Sequence, residues 1–378
     1  MIPAIPAIPA HLLPEDGRFG SGPAKIRAAQ LHELADPRGV ILGTSHRQPP
    51  VQRLIATIQE QVRELLSVPE GHEVALGNGG STAFWDIAAF CLIERRAQCL
   101  DFGAFGRRLI RATETPWLDP SSVRAAPWGG LVAAEAEKGV DTYAWPHNDT
   151  STGVAAPVRR VVPAEEAITL IDGTSAAGGI PVDLTEADAY YFAPQKSLGS
   201  DGGLWLAVLS PAARERARRI ESSGRYVPEF LSLTRAAESS RAGQTLNTPA
   251  LATLLLLESQ LRWILARGGM SWAAARTAES AGALYDWAEA SDFAEPFVPE
   301  PEHRSPVNAT LEFDARIPVR ALAAELRRNG VVDVDAYRGV GRNQLRIGTY
   351  VSVDPEDARR LTACLDFLAP RLLAEHAG

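Results

Sequence analysis

The sequence predicts an α/β protein, with a mostly parallel sheet in a large unit and a smaller α/β unit at the C-terminus. At 378 residues the chain is too long for one compact core, because domains average roughly 150 residues. Short β-rich runs alternate with stretches of helical spacing, which favours parallel strands covered by helices. A Gly268-Gly269 break divides the chain. We therefore expect an extended arm at 1–15, a large unit at 16–270 and a small unit at 271–378.

The large unit alternates helices and strands. Residues 51–67 place apolar side chains at helical spacing after Pro49-Pro50, and a second helix at 82–96 follows Gly79-Gly80-Ser81. The predicted strands are the apolar runs Val74–Leu76, Cys99–Phe102, Ala167–Ile171, Ala187–Phe192 and Leu204–Val208. Binding sites in such sheets collect at the carboxyl ends of the strands.

The small unit is predicted from a second, shorter alternation. Helices at Pro249–Arg267 and Trp272–Ser291 flank the glycine break, and a proline-rich segment at 296–306 opens the unit. The elements that follow are a strand at Ala309–Phe313, a helix at Pro318–Asn329, a strand at Gln344–Gly348 and a helix at Pro355–Leu373. An Ile-Pro-Ala triplet at 2–4, 5–7 and 8–10 predicts a flexible or loosely docked arm without a catalytic role.

Composition points to a small-molecule partner. A formal net charge of −8 and a pI near 5.5 argue against nucleic acid, although a few arginines can still bind a small anion locally. Cys91, Cys99 and Cys364 form no CxxC pair, so we expect reduced core thiols and no metal site. The N-terminus lacks the basic segment followed by an apolar segment that is typical of a signal peptide. No apolar run approaches the roughly 20 residues that span a bilayer. We expect a cytoplasmic protein with no membrane partner.

One lysine and one aspartate follow apolar runs at predicted strand ends. Lys196 follows Ala187–Phe192, where an unpaired ammonium is costly to bury. It is either a surface lysine or, with a lowered pKa, an amine that forms an imine. Asp172 directly follows the apolar residues Ala167–Ile171 and could simply cap the next turn. Neighbouring parallel strands would bring both to one cleft, where pyridoxal phosphate needs an amine and a carboxylate beside its ring nitrogen.

A glycine-rich turn offers a seat for a phosphate. The segment GNGGST at 77–82 leads into the helix that begins near Ala83, and free N–H groups at a helix start bind a phosphate dianion. It is neither a Walker loop nor a full Rossmann fingerprint. By itself the segment is equally compatible with a plain turn.

Seven segments occur in an order typical of one enzyme family. They are FGSGPAKI (19–26), SHRQPP (45–50), GNGGSTAFW (77–85), HNDTSTGV (147–154), IDGTSAAGG (171–179), FAPQKSLGSDGG (192–203) and LNTPA (246–250). Together they resemble the class V, fold-type I aminotransferases, and among them the phosphoserine aminotransferases of the actinobacterial kind. The resemblance runs from about residue 17 to the C-terminus.

The resemblance implies a role in cofactor binding for several of these residues. Lys196 would form the internal aldimine with pyridoxal 5'-phosphate, and Asp172 would pair with its ring nitrogen. Gln195 would contact the cofactor beside the lysine. Gly80 and Ser81 would hold the phosphate at the helix start.

Four further residues are implied in the same way. Thr150 would bond near the 3-hydroxyl, and Phe105 would stack on the pyridine ring. Many members of the family have tryptophan at the position of Phe105, so this chain departs from the commonest pattern. Asn247 and Thr248 match a pair that reaches the cofactor phosphate from the partner subunit, which implies a homodimer with shared active sites.

Substrate recognition is expected to depend on arginine, whose planar fork suits carboxylates and phosphates. The implied substrates are L-glutamate and 3-phosphohydroxypyruvate, which would give O-phospho-L-serine and 2-oxoglutarate in serine biosynthesis. The candidate substrate-binding residues are Ser21, His46, Arg47, Arg338 and Arg346. Arg342 lies in the same loop, and the sequence does not decide whether it or Arg338 binds substrate.

The expected mechanism has two half-reactions, in which Lys196 removes the substrate α-proton and returns it to the cofactor. A cysteine desulfurase is one alternative, but its nucleophile would have to be Cys364, inside an apolar helix. An alanine–glyoxylate type aminotransferase is another, and a binding protein without cofactor is a third. The sequence leaves open whether 4-phosphohydroxythreonine of vitamin B6 synthesis is also a substrate.

Overall fold

The computed structural model describes residues 6–36 and 41–376. In these ranges the strands are β1 Glu73–Asn78, β2 Ala97–Asp101, β3 Ser122–Ala125, β4 Thr142–Pro146, β5 Asn148–Asp149, β6 Val154–Ala155, β7 Ile168–Asp172, β8 Ala189–Phe192, β9 Leu204–Leu209, β10 Ala294–Pro296, β11 Asn308–Phe313 and β12 Gln344–Gly348. The helices are α1 Ala28–Ala35, α2 Pro49–Leu65, α3 Ser81–Cys91, α4 Ala104–Ala112, α5 Pro211–Glu221, α6 Leu233–Arg241, α7 Leu251–Leu265, α8 Gly269–Ala290, α9 Val319–Arg328 and α10 Pro355–His376.

The large unit is built on a sheet of strand order β1-β9-β8-β7-β4-β2-β3. The neighbours from β8 to β3 pair in parallel, whereas β9 runs antiparallel to both β8 and β1. The predicted α/β fold with a mostly parallel sheet is therefore confirmed. Because β7 and β8 are parallel neighbours, the segments that follow them leave the same edge of the sheet.

Helices cover both faces of this sheet, as side-chain alternation along β9 shows. Leu204, Leu206 and Val208 face a core that includes α2 and α7. Trp205 and Ala207 point to the opposite core, which includes α3 and α5. A strand with both faces buried is apolar throughout, which is why its sequence is a continuous apolar run.

The small unit packs α8, α9 and α10 on the antiparallel sheet β10-β11-β12. The N-terminal segment joins its core: Ile8 is 4% exposed, and its N–H donates to Asn329 Oδ1 at 3.0 Å. Phe19 is fully buried in the same core. The expectation of a loosely docked arm is therefore wrong for Ile8 and the residues after it, because apolar burial anchors them. The Ile-Pro-Ala residues 1–5 lie outside the described residues.

One predicted helix is shorter than its pattern suggested. The helix expected at 82–96 ends at Cys91, and the N–H groups of Glu94, Arg95 and Arg96 donate instead to the Asp141 carboxylate, at 2.7–3.0 Å. A carboxylate supplied from a distant loop replaces the helical acceptors of these groups. In the described ranges, no helix combines the length and apolar character needed to cross a bilayer.

Candidate active site

Asp172 is the last residue of β7, and its carboxylate is surrounded by neutral donors. Trp85 Nε1 on α3 donates to Oδ2 at 3.0 Å. The Thr174 backbone N–H donates to Oδ1 at 2.9 Å, and the Thr174 hydroxyl donates to the same oxygen. Burial raises the pKa of the Asp172 carboxyl, which the bonds from Thr174 and Trp85 oppose. Among the described residues no cation lies within ion-pair distance, so this acid can accept a cationic partner.

Lys196 lies in the turn after β8, and its amine is held by the N-terminal segment. Nζ donates to the Ser21 carbonyl oxygen at 2.8 Å, and the buried Tyr350 hydroxyl donates to the same oxygen at 2.8 Å. Burial lowers the pKa of the Lys196 amine to about 8, and the charge of Arg346 lowers it further. The charges of Asp172 and Asp149 oppose this shift. The amine and the acid thus share one electrostatic environment.

The turn at Gly22 is shaped to admit this lysine. Gly22 has φ +144°, which side chains rarely adopt. A Cβ atom there would overlap Lys196 Nζ and lie 2.5 Å from Cε. Glycine is therefore required both by the backbone conformation and by the close approach of the amine.

An aromatic group lies beside the amine. Phe105, in the first turn of α4, has its ring centroid 5.9 Å from Lys196 Nζ. Tyr337 from the small unit lies 5.8 Å from that ring, centroid to centroid, and its hydroxyl accepts a bond of 3.0 Å from Arg108. This side of the site therefore combines elements of both units.

The glycine-rich turn lies at the start of α3, as predicted. Gly79 has φ +111°, and nothing lies within 4 Å of a Cβ added at Gly80, so the backbone there is open. The Ser81 hydroxyl lies 2.5 Å from the Thr174 hydroxyl, which in turn bonds Asp172. The first N–H groups of α3 have no helical acceptor, and they lie next to the Asp172 cluster.

The structure distinguishes the three candidate arginines of the C-terminal region. Arg346, on β12, donates to the Thr150 carbonyl oxygen at 3.1 Å, and its Nε is buried without a partner. Arg342 instead forms a surface ion pair with Glu312 at 3.0 Å. Arg338 is exposed. Only Arg346 of the three affects the pKa of Lys196.

Four predicted residues form a separate group at the surface. His46 Nδ1 lies 3.2 Å from the Thr248 hydroxyl, and the Thr248 carbonyl oxygen accepts a bond of 2.8 Å from Asn78. Asn247 and Arg47 are exposed beside them in sequence. Among the described residues, no hydrogen bond or ion pair connects this surface group to Lys196 or Asp172.

Several polar atoms near the lysine are buried without a partner. They are Gln195 Oε1, Ser21 Oγ and Arg346 Nε, and His46 Nε2 in the surface group is another. Buried polar atoms are nearly always hydrogen-bonded in native proteins, so these atoms are candidates to bond a ligand.

Sequence reasoning missed the residues that support the lysine and the acid. Trp85 lies four residues after Ser81, on the same face of α3, and this spacing could have indicated its role. Asp149 lies within the motif HNDTSTGV, in which the sequence points only to Thr150. Tyr350 and the Ser21 carbonyl carried no sequence signal.

The chain is similar to known proteins in sequence. The family described as "Aminotransferase class-V" matches residues 133–338. A phosphoserine aminotransferase from Nocardioides sp. is 51% identical over 368 residues, covering 97% of this chain and 98% of the relative. One from Rhodococcus jostii is 50% identical over 369 residues, covering 97% and 99%.

The fold also matches solved structures. A phosphoserine aminotransferase from Cytophaga hutchinsonii has a TM-score of 0.85, with 19% identity, and the match covers 93% of this chain and 98% of that one. At this identity the likeness shows the fold alone.

Proposed function

Because the chain belongs to the class V aminotransferases, we propose that it transfers the amino group of L-glutamate to 3-phosphohydroxypyruvate, giving O-phospho-L-serine and 2-oxoglutarate. The observation that carries the proposal is that Asp172 and Lys196 lie at the ends of the parallel neighbours β7 and β8, with Arg346 of the small unit bonded to Thr150. Relatives that are about half identical over nearly their whole length carry the name of this activity. Phosphoserine formation places the enzyme in serine biosynthesis.

The residues present fit pyridoxal 5'-phosphate. Asp172 is a buried acid bonded only by neutral donors, which suits a protonated ring nitrogen. Lys196 would attach the cofactor, and Gly80 and Ser81 would hold its phosphate at the start of α3. Gln195 has an unpartnered oxygen beside the lysine.

Two further residues complete the cofactor site in this proposal. Thr150 would bond near the 3-hydroxyl and Phe105 would stack on the ring, where phenylalanine gives less contact area than tryptophan. When bound, the cofactor supplies an electron sink that stabilises negative charge at the substrate α-carbon.

Lys196 is the base that moves the proton. An amine with a pKa of about 8 is partly neutral near physiological pH, and the neutral form can accept the α-proton of the substrate. The Ser21 carbonyl holds this amine in place when it is free. Asp172, as a carboxylate, would hold a proton on the ring nitrogen of the bound cofactor.

Arg346 is the residue that we assign to the substrate carboxylate. It is the C-terminal arginine beside the lysine, and its buried Nε lacks a partner that a carboxylate would provide. Arg342 is already paired with Glu312. Arg338, exposed on the adjoining loop, and Ser21 would contact the rest of the substrate.

We propose a homodimer in which the surface group of His46, Arg47, Asn247 and Thr248 serves the site of the partner subunit. His46 is bonded to Thr248, and among the described residues no hydrogen bond or ion pair connects the group to Lys196 of its own chain. His46 and Arg47 would bind the substrate phosphate, and Asn247 and Thr248 the cofactor phosphate.

The three cysteines are buried free thiols, which supports a cytoplasmic location.

The shared site can be tested by mixing two inactive variants. Lys196→Ala and the double variant Asn247→Ala, Thr248→Ala would be co-refolded in equal amounts. Heterodimers would then contain one intact site, and about a quarter of the wild-type activity would return. Two variants of the same subunit site, Lys196→Ala and Asp172→Ala, form the matched control and should not restore activity. No recovery in the first mixture would contradict shared sites.

The substrate assignment is tested by a coupled assay with glutamate and 3-phosphohydroxypyruvate. The Arg47→Ala variant should lose activity mainly through a higher KM for the phosphorylated acid. An enzyme that preferred alanine and glyoxylate would refute the assignment in favour of the alternative aminotransferase. The desulfurase alternative is disfavoured, because Cys364 is buried in α10 and its thiol donates to the Leu12 carbonyl. Activity on 4-phosphohydroxythreonine needs a separate assay.

A further inference from the structure

Asp149 is a buried acid at the active site for which the mechanism above has no use. It ends β5, its exposed fraction is zero, and it forms no ion pair among the described residues. Burial raises the pKa of its carboxyl, and bonds from Ser151, Gly106 and Phe105 oppose that shift. Burying a charge costs free energy, so favourable interactions with the surroundings must offset that cost.

The first such interaction is with α4, the helix that carries Phe105. Asp149 Oδ2 accepts the backbone N–H groups of Phe105 at 2.9 Å and Gly106 at 3.1 Å. Oδ1 accepts the Ser151 hydroxyl at 2.6 Å, and the Ser151 oxygen in turn accepts the Ala104 N–H at 2.8 Å. Three N–H groups of the first helical turn are thus held by one pair of side chains.

The glycine before α4 leaves room for this carboxylate. A Cβ added at Gly103 would lie 2.5 Å from each carboxylate oxygen of Asp149. Because the first turn of α4 is bonded to this acid, the backbone position of Phe105 depends on it.

The second interaction is electrostatic. Four titratable or charged groups face the Lys196 amine: Arg346, Asp172, Asp149 and Tyr350. Asp149 raises the pKa values of both Lys196 and Arg346, and it is connected to Arg346 through Thr150, its neighbour in sequence. Two cations close together would otherwise repel each other in a poorly solvated site.

We propose that Asp149 is a positioning residue, which aligns Phe105 through the start of α4 and whose negative charge keeps Lys196 and Arg346 compatible in one site. The inference rests on the proposed function only in that Lys196 is the reacting amine. It predicts separable effects, because neighbouring Ser151 shares the hydrogen bonds but carries no charge.

The experiment compares three variants of the cofactor-loaded enzyme: Asp149→Asn, Ser151→Ala and Asp141→Asn. Asp141 is the matched control. Its carboxylate also accepts three backbone N–H groups, those of residues 94–96, which are far from Asp141 in the sequence. Each variant is measured for Tm, for the visible absorption of the lysine-bound cofactor and for kcat/KM with glutamate as functions of pH.

Asp149→Asn should shift the acid limb of the pH profile to lower pH, by roughly half a unit or more. The sign follows because loss of a negative charge lowers the pKa of Lys196, so the neutral amine persists in more acidic solution. Asp141→Asn should lower Tm and keep the wild-type profile. Ser151→Ala should reduce kcat about three- to tenfold without moving the profile.

A wild-type profile in Asp149→Asn would overturn the electrostatic part of the proposal. If that variant does not fold, Ser151→Ala decides the positioning part, which is overturned by unchanged kcat and KM. A wild-type enzyme without lysine-bound cofactor would instead refute the proposed function, so the two failures can be distinguished.

Discussion

Replacing Gly22 by alanine tests the close approach between the N-terminal turn and Lys196. The new Cβ would overlap Nζ and lie 2.5 Å from Cε and 2.9 Å from Cδ, so either the amine or the turn must move. In both cases the bond from Nζ to the Ser21 carbonyl is lost. A hydrogen bond to a charged group contributes about 1.5–3 kcal/mol, which corresponds to roughly a 10- to 150-fold loss in kcat if the free amine must return there in each cycle.

The matched control for this substitution is Gly224→Ala. Gly224 has φ +91°, and nothing lies within 4 Å of a Cβ added there. Both variants incur the backbone cost of a positive φ, about 1–2 kcal/mol, and Gly22→Ala should lose additional Tm because its Cβ overlaps Lys196. Only Gly22→Ala should lose turnover. If its kcat were within about twofold of the control, the argument that Ser21 holds the working amine would be refuted.

Three other predictions concern the amine, the acid and a nearby arginine. Lys196→Met should make the cofactor-free protein about 1–2 kcal/mol more stable at pH 7, where the wild-type protein buries a charge. Because native Lys196 loses its proton above about pH 8, the difference in stability should shrink by pH 10. A difference in Tm that stayed constant with pH would contradict this prediction. Trp85→Phe removes a donor to Asp172 and should weaken pyridoxal phosphate binding about tenfold or more in an absorption titration, whereas an unchanged Kd would contradict the role of this bond. We expect Arg108 to contact the phosphorylated acid, because its guanidinium lies 5.4 Å from the Phe105 ring beside Lys196 and has no ion-pair partner among the described residues. Arg108→Gln should therefore raise KM for this acid about tenfold. Arg107→Gln should not, because Arg107 pairs with an aspartate on β2, and equal effects would refute the contact.

The sequence was sufficient to predict five of the seven strands of the large sheet, whereas β3, β4 and the order of the strands in the sheet were not predicted. Continuous apolar runs gave β7, β8 and β9 to within two residues at each end, because strands buried on both faces need apolar residues at every position. The positions of Lys196 and Asp172 after two such runs implied that they meet, since parallel neighbours end at the same edge. Helix ends were harder to predict: the helix from Ser81 stops at Cys91 because a distant aspartate captures the following N–H groups.

The residues that tune the site were decided by tertiary structure alone. The motif around Arg338, Arg342 and Arg346 offers three chemically equal guanidiniums, and only the strand register and the presence of Glu312 direct Arg346 to the lysine. The Ser21 carbonyl is 175 residues away from Lys196 in the chain. A backbone carbonyl has the same chemistry at every residue, so no pattern of side chains can reveal which one will face the amine; the packing of the N-terminal segment against the small unit determines it.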